Sequence, residues 1–317
     1  MKDLVIGIDI GGTFTKFGFV DIEGNILAEG VSPTDMFNNA DDYLHALVKE
    51  IEKTEKHINS PFQITGVGIG APNANYHMGT IENAANLNWE GVVPLAEMVK
   101  ARFGVPVKMT NDANAAALGE MLYGAARGMR DFIMITLGTG LGSGIVVNGE
   151  LVYGHDGFAG EIGHVKVISG GRKCGCGHEG CLETFVSAPG IKRTVFELLA
   201  RNNGNSELAK ISFQELTSEM IYQAAKRNDP LALEAFEISG QILGRQLADS
   251  VAHTSPEAIF LFGGLAKSGD FILNPARKSL EENLISPYKG KVKLLLSGLM
   301  GKNVAILGAA ALIWKDS

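Results

Sequence analysis

Cysteine, long hydrophobic runs and positive charge are all scarce in this chain of 317 residues. The three cysteines lie between positions 174 and 181, an odd and clustered set that argues against a disulfide framework and for a metal or a reactive thiol. A reducing cytoplasm is the natural setting for such thiols. The longest apolar run, Val304 to Trp314, falls well short of the roughly 20 residues that span a bilayer. Leu4 to Ile8, ended by Asp9, is too short for a signal-peptide core and lacks a cleavage pattern. The net charge of −7 offers no basic face for nucleic acid. What remains is an ordinary globular composition, 45% hydrophobic and 20% charged, long enough for two domains at roughly 150 residues each.

Glycine is in excess, with 40 copies, about twice the average usage of roughly 7%. The glycines fall in local groups without a fixed period, as tight turns around ligands require. Leu4 to Ile10 is a β-rich run, followed by Gly11-Gly12, a second strand from Thr13 to Val20, and a Glu23-Gly24-Asn25 turn toward a third strand near Ile26. The layout returns at Phe132 to Leu137, then the glycine-rich Gly138 to Gly144, Ile145 to Val147, and the turn Asn148-Gly149-Glu150. The two stretches superpose without a gap at an offset of 127, placing Asp9 on Thr136, Gly11 on Gly138 and Val20 on Val147. A repeat of this size implies two similar lobes, and two lobes make a cleft.

Helices are predicted between the strands. Asp41 to His57 carries Leu44, Leu47, Val48 and Ile51 on one face. Ala113 to Leu122 follows the short strand Val105 to Met109. Ser212-Phe-Gln-Glu215 has the capping-box pattern of a helix start, and Asp229-Pro230 opens a longer helix with Pro at its first position. Glu257 to Phe262 reads as a buried strand and Phe271 to Leu284 as a helix. Alternating strands and helices indicate an α/β fold. The expected division is residues 1–117, completed by a C-terminal helix at 303–317, against 118–302.

Three glycine turns have the form of phosphate-binding machinery. Asp9-Ile10-Gly11-Gly12-Thr13 sets a carboxylate directly before a turn whose N–H groups can approach phosphate oxygens unobstructed. A bare Asp would repel phosphate, so Mg²⁺ or its waters are expected between them. Thr13 and Thr15 add hydroxyls and Lys16 a point charge. The alternating glycines of Thr136-Leu-Gly138-Thr139-Gly140-Leu-Gly142-Ser-Gly144 fit neither the dinucleotide fingerprint nor a P-loop. Paired with the first turn, they would grip a triphosphate. Phe262-Gly263-Gly264-Leu265 follows a buried strand and would hold the nucleoside end.

Between a strand and an alanine-rich helix lies Thr110-Asn111-Asp112-Ala113-Asn114. Asn111 or Asp112 suits an N-cap. As a functional residue, Asp112 is the base that takes a proton from a sugar hydroxyl attacking the γ-phosphoryl group. Asn86-Leu-Asn88-Trp89 and Glu161-Ile-Gly-His164 supply donors and acceptors suited to a polyhydroxylated ligand.

These residues, with Cys174-Gly-Cys176-Gly-His-Glu-Gly-Cys181-Leu-Glu183, resemble the ROK family of sugar kinases and repressors over nearly the whole chain. The resemblance implies the two-lobed actin/hexokinase-like ATPase fold. It also implies Asp112 as catalytic base, with Asn86, Asn111, Asp112, Glu161, His164 and Glu183 on the sugar hydroxyls. His164, Cys174, Cys176 and Cys181 form a complete tetrahedral set for structural Zn²⁺, with His178 as a competing ligand that the family pattern disfavours. The segment Tyr153 to Gly160 and the Cys-Leu-Glu-Thr184 stretch are most similar to the glucokinase branch. The expected substrates are therefore MgATP and glucose, with N-acetylglucosamine or N-acetylmannosamine next. A non-catalytic sugar sensor and a polyphosphate-dependent kinase are the rivals. The chain begins three residues before its first strand, so the DNA-binding domain of ROK repressors is not expected. A homodimer or homotetramer in the cytoplasm is.

Overall fold

The computed structural model describes residues 1–84, 86–201 and 206–316. The chain divides into two compact units, one of residues 1–129, 151–159 and 301–317, the other of 130–150 and 160–300. The first unit contains β1 (Lys2–Ile10), β2 (Phe14–Val20), β3 (Ile26–Pro33), α1 (Ala40–Glu55), β4 (Phe62–Gly70), β5 (Ala74–Asn75), β6 (Thr80–Glu82), β7 (Val92–Val93), α2 (Leu95–Phe103), β8 (Val107–Thr110) and α3 (Asp112–Tyr123). Next come β9 (Phe132–Leu137), β10 (Leu141–Val147), β11 (Glu150–Leu151), α4 (Ala188–Arg201), α5 (Ser218–Lys226), α6 (Pro230–Thr254), β12 (Ala258–Phe262), α7 (Asp270–Asn283) and β13 (Lys293–Leu296). The closing helix α8 (Val304–Trp314) belongs to the first unit.

The first sheet has the order β3-β2-β1-β4-β8, with β1 antiparallel to β2 and parallel to β4. Leu4, Ile6, Ile8 and Ile10 alternate onto one face and pack with Phe17, Phe19 and the Tyr43, Leu44, Leu47 and Ile51 stripe of α1. Such burial stabilises by about 1.5–3 kcal/mol per large side chain. On the opposite face, Gly7 and Gly68 are paired in the β1–β4 register. A Cβ on Gly7 would overlap the Ile306 carbonyl oxygen, and one on Gly68 that of Ala309. The α8 backbone therefore lies flush on the sheet, and this helix is apolar all round and buried along its length.

The second sheet repeats that order as β11-β10-β9-β12-β13, with β9 antiparallel to β10 and parallel to β12. Its core joins Ile133, Ile135 and Leu137 of β9 to Ile259 and Leu261 of β12 and to residues of α4, α6 and α7. The expected α6 is present: Asp229 Oδ1 accepts the N–H groups of Leu231 and Ala232, both at 3.0 Å, and Pro230 takes the first helical position.

Three details differ from the sequence reading. The division after 117 would cut through α3; the first unit instead runs on to Met129 and regains Leu151–Ala159. There Tyr153 stacks on Tyr76, ring centroids 3.8 Å apart. The glycine-rich stretch 138–144 is half strand, since β10 begins at Leu141. Its turn is one residue shorter than that of β1–β2, so the ungapped superposition fails beyond the turn. The Ser212–Glu215 box does form, Ser212 Oγ bonding Glu215 Oε2 at 2.6 Å, but it closes only a turn. The helix α5 starts at Ser218 under its own cap, with Thr217 Oγ1 accepting from Met220 N at 3.2 Å.

Candidate active site

In the first unit, register brings the carboxylates together. Asp9 of β1 lies opposite Gly70 of β4, which lies opposite Thr110 of β8. Asp112 begins α3 two residues later, beyond the same strand ends. A Cβ on Gly70 would sit 3.9 Å from both Asp9 Oδ1 and the Asp112 Cα, so glycine leaves the space between them open. Asn111 is the cap of α3, its Oδ1 accepting the Asn114 N–H at 2.7 Å. That role frees Asp112, whose Oδ1 takes the adjacent Ala113 N–H at 3.0 Å.

Burial pushes Asp9 up to about 6, helped by the neighbouring charge of Asp112 and opposed by Lys16, its partner across the β1–β2 hairpin. Asp112 is also raised by the protein around it, against the lowering pull of the Ala113 N–H. It nevertheless keeps a solvent-reachable surface, as a proton acceptor must. Two carboxyls flanking one glycine, both raised above the ordinary carboxylate value, suit a hard cation with oxygen ligands.

The glycine turn beside them is closed by Gly11 N–H donating to the Phe14 carbonyl at 3.1 Å, which removes the Gly11 N–H from service. Gly12 presses on Asn86: a Cβ there would lie 2.9 Å from the Asn86 carbonyl oxygen. The turn and the exposed Asn86 side chain are thus neighbours. Thr13 and Lys16 are exposed. Thr15 corrects the sequence reading. It is fully buried, and its hydroxyl is occupied by Thr34 Oγ1 at 2.9 Å and Tyr43 OH at 2.7 Å, because alternation along β2 turns it inward with Phe17. Asn88 is likewise committed, its amide donating to the Asp35 carbonyl at 2.9 Å.

In the second unit, the turn 138–140 is closed by Gly138 N–H donating to the Gly140 carbonyl at 2.9 Å. Gly263, at the end of β12, has φ +105° and packs on Leu137, whose carbonyl oxygen a Cβ would overlap; only glycine fits. Gly264 faces open space. A cavity of about 340 Å³ opens beside Thr139, lined by Pro189, Lys192, Arg193, Phe213 and Leu216 among others. The Lys192 ammonium stands 4.4 Å from the Phe213 ring centroid. The sequence reading missed these residues. Adjacent cations in α4 were visible, but nothing local ties them to Thr139.

His164, Cys174, Cys176 and Cys181 converge, their donor atoms all within 4.8 Å of one another, a group able to hold a metal ion. Cys176 and Cys181 sulfurs are 3.7 Å apart, and Cys174 Sγ is 3.6 Å from His164 Nδ1. The loop is pinched by Cys174 N–H donating to the His178 carbonyl at 2.8 Å, and His178 stays outside the group. The other ring nitrogen of His164 lies 3.9 Å from Glu161 Oε2. Glu183 accepts the Leu141 N–H at 2.9 Å. Glu161, His164 and Glu183 belong to the second unit; Asn86, Asn111 and Asp112 belong to the first.

The sequence profile of the ROK family matches residues 5–316. The chain belongs to the ROK family. A glucokinase of Streptomyces coelicolor is 36% identical over 317 residues, covering 98% of this chain and 97% of that protein. A ROK glucokinase of Streptomyces griseus, solved with glucose and AMPPNP, is 35% identical with a TM-score of 0.81 and covers 98% of both chains. A xylose repressor of Caldicellulosiruptor bescii is 30% identical over 98% of this chain and 78% of the repressor. The two-unit α/β architecture is the actin/hexokinase-like ATPase fold of ROK sugar kinases. Among the described residues, no helix is long and apolar enough to cross a membrane.

Proposed function

We propose that this ROK protein is an ATP-dependent glucokinase that transfers the γ-phosphoryl group of MgATP to the 6-hydroxyl of glucose. The carrying observation is Asp112: an accessible carboxylate at the first position of α3, raised by its surroundings and set across Gly70 from Asp9. Asp112 takes the hydroxyl proton as the sugar oxygen attacks phosphorus; the bond to the bridging oxygen breaks and ADP leaves. Asp9 is the residue that would hold Mg²⁺ or its waters, and the bound ion would offset charge on the transferring phosphoryl. Gly12, Thr13 and Lys16 serve the phosphates in the first unit; Gly138, Thr139 and Gly140 do so in the second. Gly263 and Gly264 face the nucleoside, which the cavity beside Thr139 has the volume to receive.

Asn86, Asn111, Asp112, Glu161, His164 and Glu183 hold the sugar hydroxyls. Zn²⁺ fits the Cys/His group. With metal–sulfur bonds of about 2.3 Å and metal–nitrogen bonds of about 2.0–2.1 Å, a tetrahedron has edges of about 3.8 Å between sulfurs and about 3.6 Å from sulfur to nitrogen. The separations of 3.7 and 3.6 Å match two of its six edges and support that ion. Four protein ligands would leave no open position, so a bound zinc would anchor the loop and orient His164. The protein works in the cytoplasm as a homodimer or homotetramer, binding neither nucleic acid nor membrane.

The test is ADP release from MgATP across glucose, N-acetylglucosamine, N-acetylmannosamine, mannose and fructose. Turnover of glucose above the others is expected. Turnover of an N-acetylhexosamine alone would move the assignment to that sugar, and silence from folded, sugar-binding protein would make it a sensor.

A further inference from the structure

Glu183 stands between the metal cluster and the glycine hairpin of the second unit. Its Oε1 accepts from the Cys174 thiol at 3.8 Å, a bond open only to the protonated sulfur, while its Oε2 accepts the N–H of Leu141, the first residue of β10, at 2.9 Å. Gly140 is the residue that makes this approach geometrically feasible, because a Cβ there would run into that same oxygen. The Glu183 main chain is fixed as well: its carbonyl accepts from Ser187 Oγ at 2.7 Å, and that hydroxyl accepts the Gly190 N–H at 3.0 Å. One residue further, Ala188 N–H donates to the Gly138 carbonyl at 2.9 Å. The segment 183–188 thus grips the turn 138–141 at both ends, with a charged acceptor at one and a backbone donor at the other.

Arg172 braces the segment from behind. Its guanidinium donates to the carbonyls of Thr184 at 2.7 Å and Gly190 at 2.9 Å, pairs with Glu197 at 2.8 Å, and lies 4.4 Å from the Phe185 ring centroid. Arg172 and Glu183 therefore bracket the cysteine loop in sequence, and both are tied to α4 and its approach. A carboxylate accepting a backbone N–H is a charge-assisted bond. Leu141 is 4% exposed, so its N–H would have little water to turn to if Glu183 withdrew.

We propose that Glu183, two residues after Cys181 of the metal group, is a positioning residue for the 138–141 hairpin, so that metal occupancy is felt through the chain where the nucleotide phosphates bind. The nucleotide part of this rests on the kinase reading above; the positioning part does not. Beyond any contact with sugar, one Glu183 oxygen is already spent on Leu141.

Hydrogen exchange of the 138–147 segment, in protein without nucleotide or sugar, tests the positioning directly. Faster exchange there is expected in Glu183→Ala and in wild type stripped of metal by a chelator, with exchange in β1–β2 unchanged. Glu183→Gln, whose amide oxygen still accepts from Leu141, should stay near wild type. Gly140→Ala keeps the carboxylate but crowds it out, so it should exchange like Glu183→Ala. MgADP affinity should fall about tenfold in the same three perturbed forms, the scale of one lost charged hydrogen bond. Unaltered exchange at 138–147 in Glu183→Ala and Gly140→Ala overturns the proposal. Faster exchange in the two variants, alongside a wild-type protein that binds no MgADP, would leave Glu183 as the hairpin's support and remove the kinase reading instead.

Discussion

In the first sheet the paired central positions are Gly7 and Gly68; at the corresponding places in the second, Met134 and Phe260 face each other, both fully buried. The strand orders match, and so do the antiparallel hairpin and the parallel neighbours. What differs is how each sheet is filled. Glycines in the first let α8 lie backbone-to-sheet, whereas bulky side chains occupy the second. The hairpins diverge too: four residues connect the last paired positions of β1 and β2, three those of β9 and β10, and Asp9 has Thr136 as its counterpart. One scaffold used twice can thus set a carboxylate at the end of β1 and a hydroxyl at the same place in β9.

The comparison breaks most visibly at the hairpins. Asp9→Asn should lower kcat by on the order of a hundredfold or more, because an electrostatic partner of the transferring group is lost. Thr136→Ala, its counterpart, should change kcat by less than about threefold. A similar loss in both would mean that the copies had not diverged. Packing gives the next largest effect. Gly68→Ala places a methyl on the Ala309 carbonyl and should destabilise by about 3 kcal/mol or more, read from the urea midpoint. Tolerance there would mean that α8 does not depend on the glycine pair.

Asp9 also predicts a pH signature in protein without ligands. Its folded pKa of about 6 lies above the ordinary 3.8, so the folded state binds more protons between those values. The stability that Asp9 contributes should therefore fall as pH rises from about 4 to about 6 and stay level above. Asp9→Asn should lose Asp9's share of that slope, the raised Asp112 keeping its own, and be the more stable protein at pH 7, by up to about 3 kcal/mol. A less stable variant at pH 7 would contradict the burial of an unfavourable charge. The smallest effect concerns the helix start misread from sequence. Thr217→Ala should cost about 1 kcal/mol as the cap of α5, while Ser212→Ala should cost less than about half that, both by thermal unfolding.

Much of this was legible because it was local. β-rich runs ending in glycine marked β1, β9 and β12; Asp229-Pro230 marked α6; an unbroken apolar run marked α8. The sequence offered Asn111 or Asp112 as the cap of α3; the Asn114 N–H bond to Asn111 assigns it, and register then sets Asp9 near Asp112. Thr15 was misread although its signal was present: strand alternation puts it with Phe17, away from Lys16. The capping box misled because its reciprocal bonds need only four residues, whereas a helix needs the turns that follow. Illegible were the contacts made at long range: Tyr153 stacked on Tyr76, Glu183 on the hairpin, and Lys192, Arg193 and Phe213 around the cavity beside Thr139.

The most direct test of the account is Asp112→Asn, measured for glucose phosphorylation with MgATP and, by calorimetry, for glucose binding. A proton acceptor acts in the transition state, so kcat should fall by about a thousandfold while glucose affinity stays within a few-fold. Turnover near the wild-type rate in a folded Asp112→Asn protein would contradict the account, because proton transfer would then need no group at the start of α3.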